Sequence, residues 1–309
     1  MVVLGTALYR TGGEDTSTEL LDAWLELGGN VVDCGREYGE SERVLGRWLR
    51  DSGRRDDVVV ITKGAHEDAG RRRVTQADIS SDLLESLDAL DAGAVEIYML
   101  HRDDPSQPVG PLVEVLNEHR RDGRIGAFGA SNWTTTRLDE ARDYARSHGL
   151  EAFSCSSPGL SLAQQSEPPW PGSVAADDAS SRGWYERARM PLFAWSSQAA
   201  GFFAGVDGPD VLRVYGSRCN LERLRRATEL GARIGHTANE VALAWVLGQP
   251  FPTHAVIGPR TVDELRRSLA ALEIRLTPEE RRWLNLESDG ARAVGERAPG
   301  AVKPVDARA

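Results

Sequence analysis

Short apolar runs rich in β-branched residues alternate along this chain with longer segments of helical period. The runs are VVLGTA, NVVDC, VVVITK, VEIYMLH, RIGAFGAS, EAFSCSS, PLFAWSS and HAVIG. In ADISSDLLESLDAL, Ile79, Leu83, Leu84, Leu87 and Leu90 recur at the spacing of one helix face. Helix starts are marked by Thr-x-x-Glu capping boxes at Thr16/Glu19, Thr237/Glu240, Thr261/Glu264 and Thr277/Glu280, with Pro278 at the favoured first helical position of the last. Strand–helix alternation implies parallel strands joined by right-handed crossovers, and eight such units predict a closed barrel. A doubly wound open sheet also alternates, but no G-x-G-x-x-G follows the first strand. The predicted fold class is therefore α/β, a single-domain (β/α)8 TIM barrel over residues 1–290 with long loops at the C-terminal face.

Three segments break the alternation. Residues 161–181 carry SEPPWPG and read as a long loop leading into a helix near Trp184 and Tyr185. Residues 205–216 are Gly-rich and read as a candidate mobile segment. The tail, 291–309, lacks periodicity and is rich in Ala, Gly, Pro and charge, a composition that predicts disorder.

Composition narrows the class. A chain of 309 residues can bury a sizeable core. A net charge of −10 argues against a general nucleic-acid binder, which usually shows a basic face. Three cysteines without metal spacing fit a reducing compartment and no disulfide framework, and Cys34 reads as a buried small side chain. No basic segment precedes a long apolar run and no stretch approaches a membrane span, so a soluble, cytoplasmic protein is expected. No helix advertises an unusually apolar outer face, and the sequence does not specify an oligomeric state.

Polar residues at predicted strand ends carry the candidate chemistry. Asp33 and Tyr38 lie in VVDCGREYG, Lys63 closes VVVITK, and His101 closes VEIYMLH. A free tyrosine, with a pKa of about 10, is a poor proton donor near neutral pH. A nearby ammonium lowers that value by stabilising the phenolate, and a carboxylate holds the ammonium charged. A neutral imidazole can orient a substrate oxygen. Together the four suit protonation of a carbonyl oxygen while hydride arrives from elsewhere. Taken singly, each has a plainer reading: a packed loop tyrosine, a structural Lys63–Asp33 pair, a core histidine.

The order of motifs resembles the aldo-keto reductases over almost the whole chain. Asp33 is followed five residues later by Tyr38-Gly39 in YGESERVLGRWL; then come ITKG at Lys63, YMLHRDDP around His101, RIGAFGASNW ending at Trp133, and VIGPRTVDELRRSLAAL from Val256 to Leu272. The resemblance implies a barrel enzyme that reduces an aldehyde or ketone with NADP(H), NADPH being preferred over NADH. Tyr38 would be the general acid, tuned by Lys63 and Asp33, with His101 orienting the substrate. It further implies that Ser131 and Asn132 hold the nicotinamide carboxamide, although Ser-Asn before WTTTRLDE also suits a helix cap. Residues from Gly258 to Ser268 resemble the adenosine-phosphate site. Arg260 precedes a helix N-terminus that favours anions, and Glu264 is shared between this site and a capping box.

The chain departs from the family pattern in places. Ser157 stands where a glutamine is common, and Ser268 where an asparagine is common. The seventh strand reads Phe193-Ala194-Trp195-Ser196-Ser197, offering Trp195 in place of a stacking tyrosine, with Ser196 beside it. Because the sequence opens almost at the first strand, the hairpin that often closes the barrel floor is expected to be reduced. Trp133, Trp170 and Arg102 are candidates for the substrate pocket, with Arg36 a weaker one, a set suited to a polar or sugar-derived carbonyl compound. Two other classes compete. One is a metal-dependent barrel isomerase or hydrolase using His66, Glu67, Asp68, His101, Asp103 and Asp104, although adjacent residues in HED and RDD diverge on an extended backbone and no metal site is expected. The other is a redox-sensing or scaffolding relative that binds nucleotide with little turnover.

Overall fold

In the computed structural model, which describes residues 1–9 and 14–288, each predicted apolar run contains one strand, except that the third and the last strand extend one residue beyond their runs. These are β1 (Val2–Gly5), β2 (Val31–Asp33), β3 (Val59–Gly64), β4 (Val95–Leu100), β5 (Ile125–Ser131), β6 (Cys155–Ser157), β7 (Leu192–Ala194) and β8 (Thr253–Ile257). All pair in parallel in sequence order, and β8 returns to β1, so the sheet closes without an edge. The expected (β/α)8 barrel is the fold. Around it lie α1 (Glu14–Glu26), α2 (Ser41–Ser52), α3 (Gln76–Ala89), α4 (Val109–Arg121), α5 (Thr135–His148), α6 (Ala179–Ala188), α7 (Pro209–Tyr215), α8 (Arg218–Ile234), α9 (Ala238–Leu247), α10 (Val262–Ala270) and α11 (Pro278–Leu284). Among the described residues no helix is long and apolar enough to cross a membrane.

Capping chemistry sets several helix starts. Thr237/Glu240 and Thr277/Glu280 form complete reciprocal boxes at α9 and α11. The other two boxes differ from expectation. Thr16 lies inside α1, which begins at Glu14. Thr261 caps α10 through the Glu264 amide, but the Glu264 carboxylate turns instead to the Arg260 amide at 2.8 Å. The predicted long loop leads into α6, capped by Asp178, and the Gly-rich 205–216 segment contains α7, opened by Pro209. The 291–309 tail lies outside the described residues.

Two apolar shells follow from the two-residue period of the strands. Val3, Val31, Ile61, Met99, Cys155 and Phe193 fill the barrel interior. Their neighbours Leu4, Val32, Val60, Leu100, Phe128 and Ala194 point outward into the larger core shared with the helices, where they join Leu21, Leu45, Ile79, Leu83 and Leu116.

Helices α2 and α3 meet where Gly46 faces the backbone that ends α3. A Cβ at Gly46 would stand 2.6 Å from the Leu90 carbonyl oxygen. In an open helix Gly→Ala stabilises by up to about 1 kcal/mol. Here overpacking decides the sign, and Gly46→Ala is expected to destabilise by about 1–3 kcal/mol. Urea denaturation checks this; an unchanged or raised midpoint would show that the two helices separate at no cost.

Candidate active site

The inward face of the barrel carries polar groups at its C-terminal end. Asp33, Lys63, His101 and Trp195 each stand two residues beyond an interior apolar side chain, namely Val31, Ile61, Met99 and Phe193. Strand periodicity therefore aims all four at the same mouth. Ser157 follows Cys155 in the same way, and Ser131 follows Gly129, whose register partner is Cys155. Tyr38 arrives on a single 3-10 turn, Arg36–Tyr38, just after β2.

Lys63 is the hub. Its Nζ donates to both Asp33 carboxylate oxygens at 2.6 Å, to the Cys34 carbonyl at 2.9 Å and to Tyr38 Oη at 3.3 Å. Burial works to discharge the ammonium, but the Asp33 carboxylate and Tyr38 outweigh it and hold Lys63 above its ordinary value. The same burial pushes Asp33 upward against Lys63; with one ammonium bonded to both oxygens, the pair is ionised. Tyr38 departs from expectation. Lys63 does favour its phenolate, yet burial is the larger influence and the phenol lies above its usual value. Cys34 is fully buried, and burial drives its thiol well up, in keeping with a packing role.

The His101 ring lies edge-on to Tyr38, with centroids 5.5 Å apart, and to His66 at 4.9 Å. Its Nδ1 is buried without a hydrogen-bond partner. Burial first, then the positive charges of Lys63 and Arg102 and the neighbouring His66, depress its pKa well below the normal histidine range. The imidazole is thus neutral near physiological pH and retains unused hydrogen-bonding capacity.

Two loops of this mouth are fastened by α3. Asp82 is fully buried and accepts from the Ala65 amide at 2.7 Å and from Arg73. Ala65 has a left-handed backbone (φ 61°), so that bond secures an uncommon conformation directly after Gly64. Arg36 reaches Glu85 at 2.7 Å and Asp82 at 3.4 Å, anchoring the turn that bears Tyr38. Arg36 is consequently an anchor and not a pocket residue. Asp82 and His66 were not assigned these places from sequence; a carboxylate beside Ile79 and Leu83 on the apolar face of ADISSDLLESLDAL was the available signal.

Around the mouth, the predicted nucleotide residues divide into two groups. In the first, Ser131 Oγ donates to the Ser157 carbonyl at 2.8 Å, and Ser157 Oγ donates to the Phe193 carbonyl at 2.8 Å. Asn132 (φ 60°) donates to the His101 carbonyl at 3.1 Å and accepts from the Val174 amide at 3.1 Å. The cap of α5 is Thr134, so neither Ser131 nor Asn132 serves as one. Trp195 has a buried Nε1 without a partner, and its ring lies 5.1 Å from that of Trp170. Ser196 (φ 49°) hydrogen-bonds the Tyr215 hydroxyl.

The second group lies beyond β8. Gly258 is exposed, with open space where a Cβ would stand. The exposed Arg260 guanidinium pairs with Glu264 at 2.8 Å. Ser268 is buried, donates to the Glu264 carbonyl at 2.9 Å, and accepts from Gln198 at 3.2 Å. Gln198, two residues past Ser196, is a link between the two groups that the sequence did not reveal.

Of the candidate pocket residues, Trp133 is misassigned. It is only 1% exposed, its Nε1 donates to the Arg102 carbonyl, and its ring packs against Phe153 and beneath the Arg137 guanidinium. Trp170, by contrast, is 43% exposed. Arg102 is half-buried, with Nη1 donating to the His101 carbonyl at 3.1 Å. Two of the four carboxylates weighed as metal ligands are committed elsewhere: Asp103 to Arg137, and Asp104 to Arg72 and Ser106. Among the described residues no group of three or more His, Cys, Asp or Glu could hold a metal ion.

Comparison with known proteins places the chain in a family. The uncharacterized oxidoreductase YrpG of Bacillus subtilis is 26% identical over 297 residues, covering 88% of this chain and 86% of that protein. The norsolorinic acid reductase stcV of Emericella nidulans is 29% identical over 282 residues, covering 86% of this chain and 70% of that one. A crystal structure of an aldo-keto reductase from Klebsiella pneumoniae in complex with NADPH superposes with a TM-score of 0.73 at 21% identity, covering 93% and 90% of the two chains. The model of the Aldo/keto reductase family matches residues 1–285, and the chain belongs to that family of oxidoreductases.

Proposed function

We propose that this protein reduces small-molecule aldehydes or ketones to alcohols with NADPH, Tyr38 acting as general acid. The observation that carries the reading is the convergence of Tyr38, Lys63, Asp33 and His101 on one mouth, where His101 keeps a buried nitrogen unbonded. NADPH, when bound, supplies the hydride. His101, neutral because burial depresses its pKa, hydrogen-bonds the substrate oxygen and orients it. Tyr38 holds its proton through neutral pH and gives it from Oη to the oxygen as negative charge develops there. Lys63, whose Nζ is 3.3 Å from Tyr38 Oη, stabilises the phenolate left behind, and Asp33 keeps the ammonium charged and fixed.

The residues fit the cofactor at both ends. Arg260 and the start of α10 offer positive charge to the extra phosphate, with space above Gly258. Glu264 already neutralises much of Arg260 and would have to share it. Ser131, Asn132, Ser157, Trp195 and Ser196 would line the nicotinamide end, and Ser268 the adenine side. Trp170 lies against Trp195, so nicotinamide stacking on that indole would share it with Trp170.

Three outcomes test this. Titration with NADPH and NADH, followed by quenching of tryptophan fluorescence, should show saturable NADPH binding. Arg260→Ala should weaken it roughly tenfold or more while affecting NADH less; equal losses would remove Arg260 from the phosphate site. Tyr38→Phe should bind NADPH normally yet lower kcat for an aldehyde by roughly 10²–10⁴-fold, and retained turnover would exclude Tyr38 as the acid. The third concerns His101, whose pKa in the folded protein burial holds well below the ordinary histidine value of about 6.5. Its contribution to stability is complete above pH 6.5 and is lost as pH falls toward the depressed value, at up to about 1.4 kcal/mol per pH unit. His101→Gln should remove that part of the acid-side slope in urea titrations, and an unchanged slope would contradict the neutral imidazole.

A further inference from the structure

Most arginines around the catalytic mouth have an acid partner: Arg36 with Glu85, Arg72 with Asp104, Arg137 with Asp103, Arg213 with Glu167. Arg102 has none among the described residues. Its Nη1 is held by the neutral His101 carbonyl, and its Nε is buried without a partner. Burial lowers the guanidinium below its ordinary value, and Tyr38, Glu67 and Glu37 only partly oppose this. A half-buried cation lacking a counter-ion costs folding free energy, and such groups cluster at functional sites.

Its location supplies the rest. Arg102 directly follows the residue that orients the substrate oxygen. On its other side passes the loop tip, where Gly172, in a left-handed conformation (φ +73°), would place a Cβ 3.7 Å from Arg102 Cδ. Two residues earlier the same loop presents the exposed Trp170 against Trp195. A cation, an exposed aromatic ring and the proposed proton donor thus gather at the strand-end face that bears His101 and Trp195.

We propose that Arg102 recognises a carboxylate on the carbonyl substrate, so that the enzyme prefers aldehydes and ketones bearing an acid group away from the reacting carbon. This rests on the carbonyl-reducing reading above. A planar carboxylate matches the guanidinium fork. A single cation balances a monoanion, whereas a phosphate dianion would also face Glu37 and Glu67 with no second free cation among the groups named here.

The test uses 4-formylbenzoate and its methyl ester, which share the reacting carbonyl and differ in charge, as substrates of the NADPH-loaded protein. The wild type should favour the acid by at least tenfold in kcat/KM, mainly through KM. Arg102→Gln should bring the ratio near one and Arg102→Lys should restore part of it. Equal kcat/KM for acid and ester in the wild type, or a ratio unchanged in Arg102→Gln, overturns the proposal. If neither aldehyde is turned over, the carbonyl-reducing reading fails for these compounds, and calorimetric titration of both into the protein with saturating NADP⁺ decides the Arg102 assignment. Tighter binding of the acid, lost in Arg102→Gln, supports it; equal or absent binding of the two overturns it.

Discussion

A buried ammonium has to be neutralised, and much of this site follows from that requirement at Lys63. Water cannot solvate its Nζ, so both oxygens of Asp33, the Cys34 carbonyl and the Tyr38 hydroxyl gather around it. Each comes from the end of β2 or the turn beyond, so the bonds that satisfy Lys63 also fix the position of the Tyr38 hydroxyl. Stability and chemistry here depend on the same atoms. The balance at Tyr38 adds a refinement: burial dominates and raises the phenol, while the ammonium favours the phenolate, so the hydroxyl keeps its proton at neutral pH.

A second layer supports the first. Helix α3 contributes Asp82 and Glu85, which hold the Tyr38 turn through Arg36 and the exit of β3 through the Ala65 amide. Asn132 plays a comparable part on the opposite side, joining the His101 carbonyl to the Val174 amide. Positive backbone φ at Ala65, Asn132 and Ser196 occurs just after β3, β5 and β7, at the end of the barrel that bears Lys63 and His101. Such conformations persist where surrounding bonds enforce them.

The fold was legible in the sequence because closed parallel barrels have an unambiguous signature. All eight strands overlap the apolar runs, and two-residue periodicity carries Asp33, Lys63 and His101 to one mouth. What could not be read depended on contacts distant in sequence. Trp133 lies beside the catalytic strand ends, yet its indole turns into the core to meet Phe153 and the Arg102 carbonyl. Arg36 is spent on a glutamate 49 residues away. Glu264 satisfies the local capping pattern, but a charged neighbour, Arg260, captures its carboxylate. In each case local pattern gave the right residue type and a tertiary partner decided its use.

The long loop between β6 and α6 is fastened at its base. Gly159 exchanges backbone hydrogen bonds with Val174 and Ala176, Gln165 is bonded to the Asp177 carboxylate, and Gln164 to the Asp177 carbonyl. Within this clasp the tip sets Trp170 against Trp195 and Gly172 beside Arg102 without contributing a strand to the barrel. The loop is in effect a cassette. Its tip can be exchanged, in evolution or by design, to alter which molecules reach the mouth, while the hinge points that carry its load stay with the scaffold.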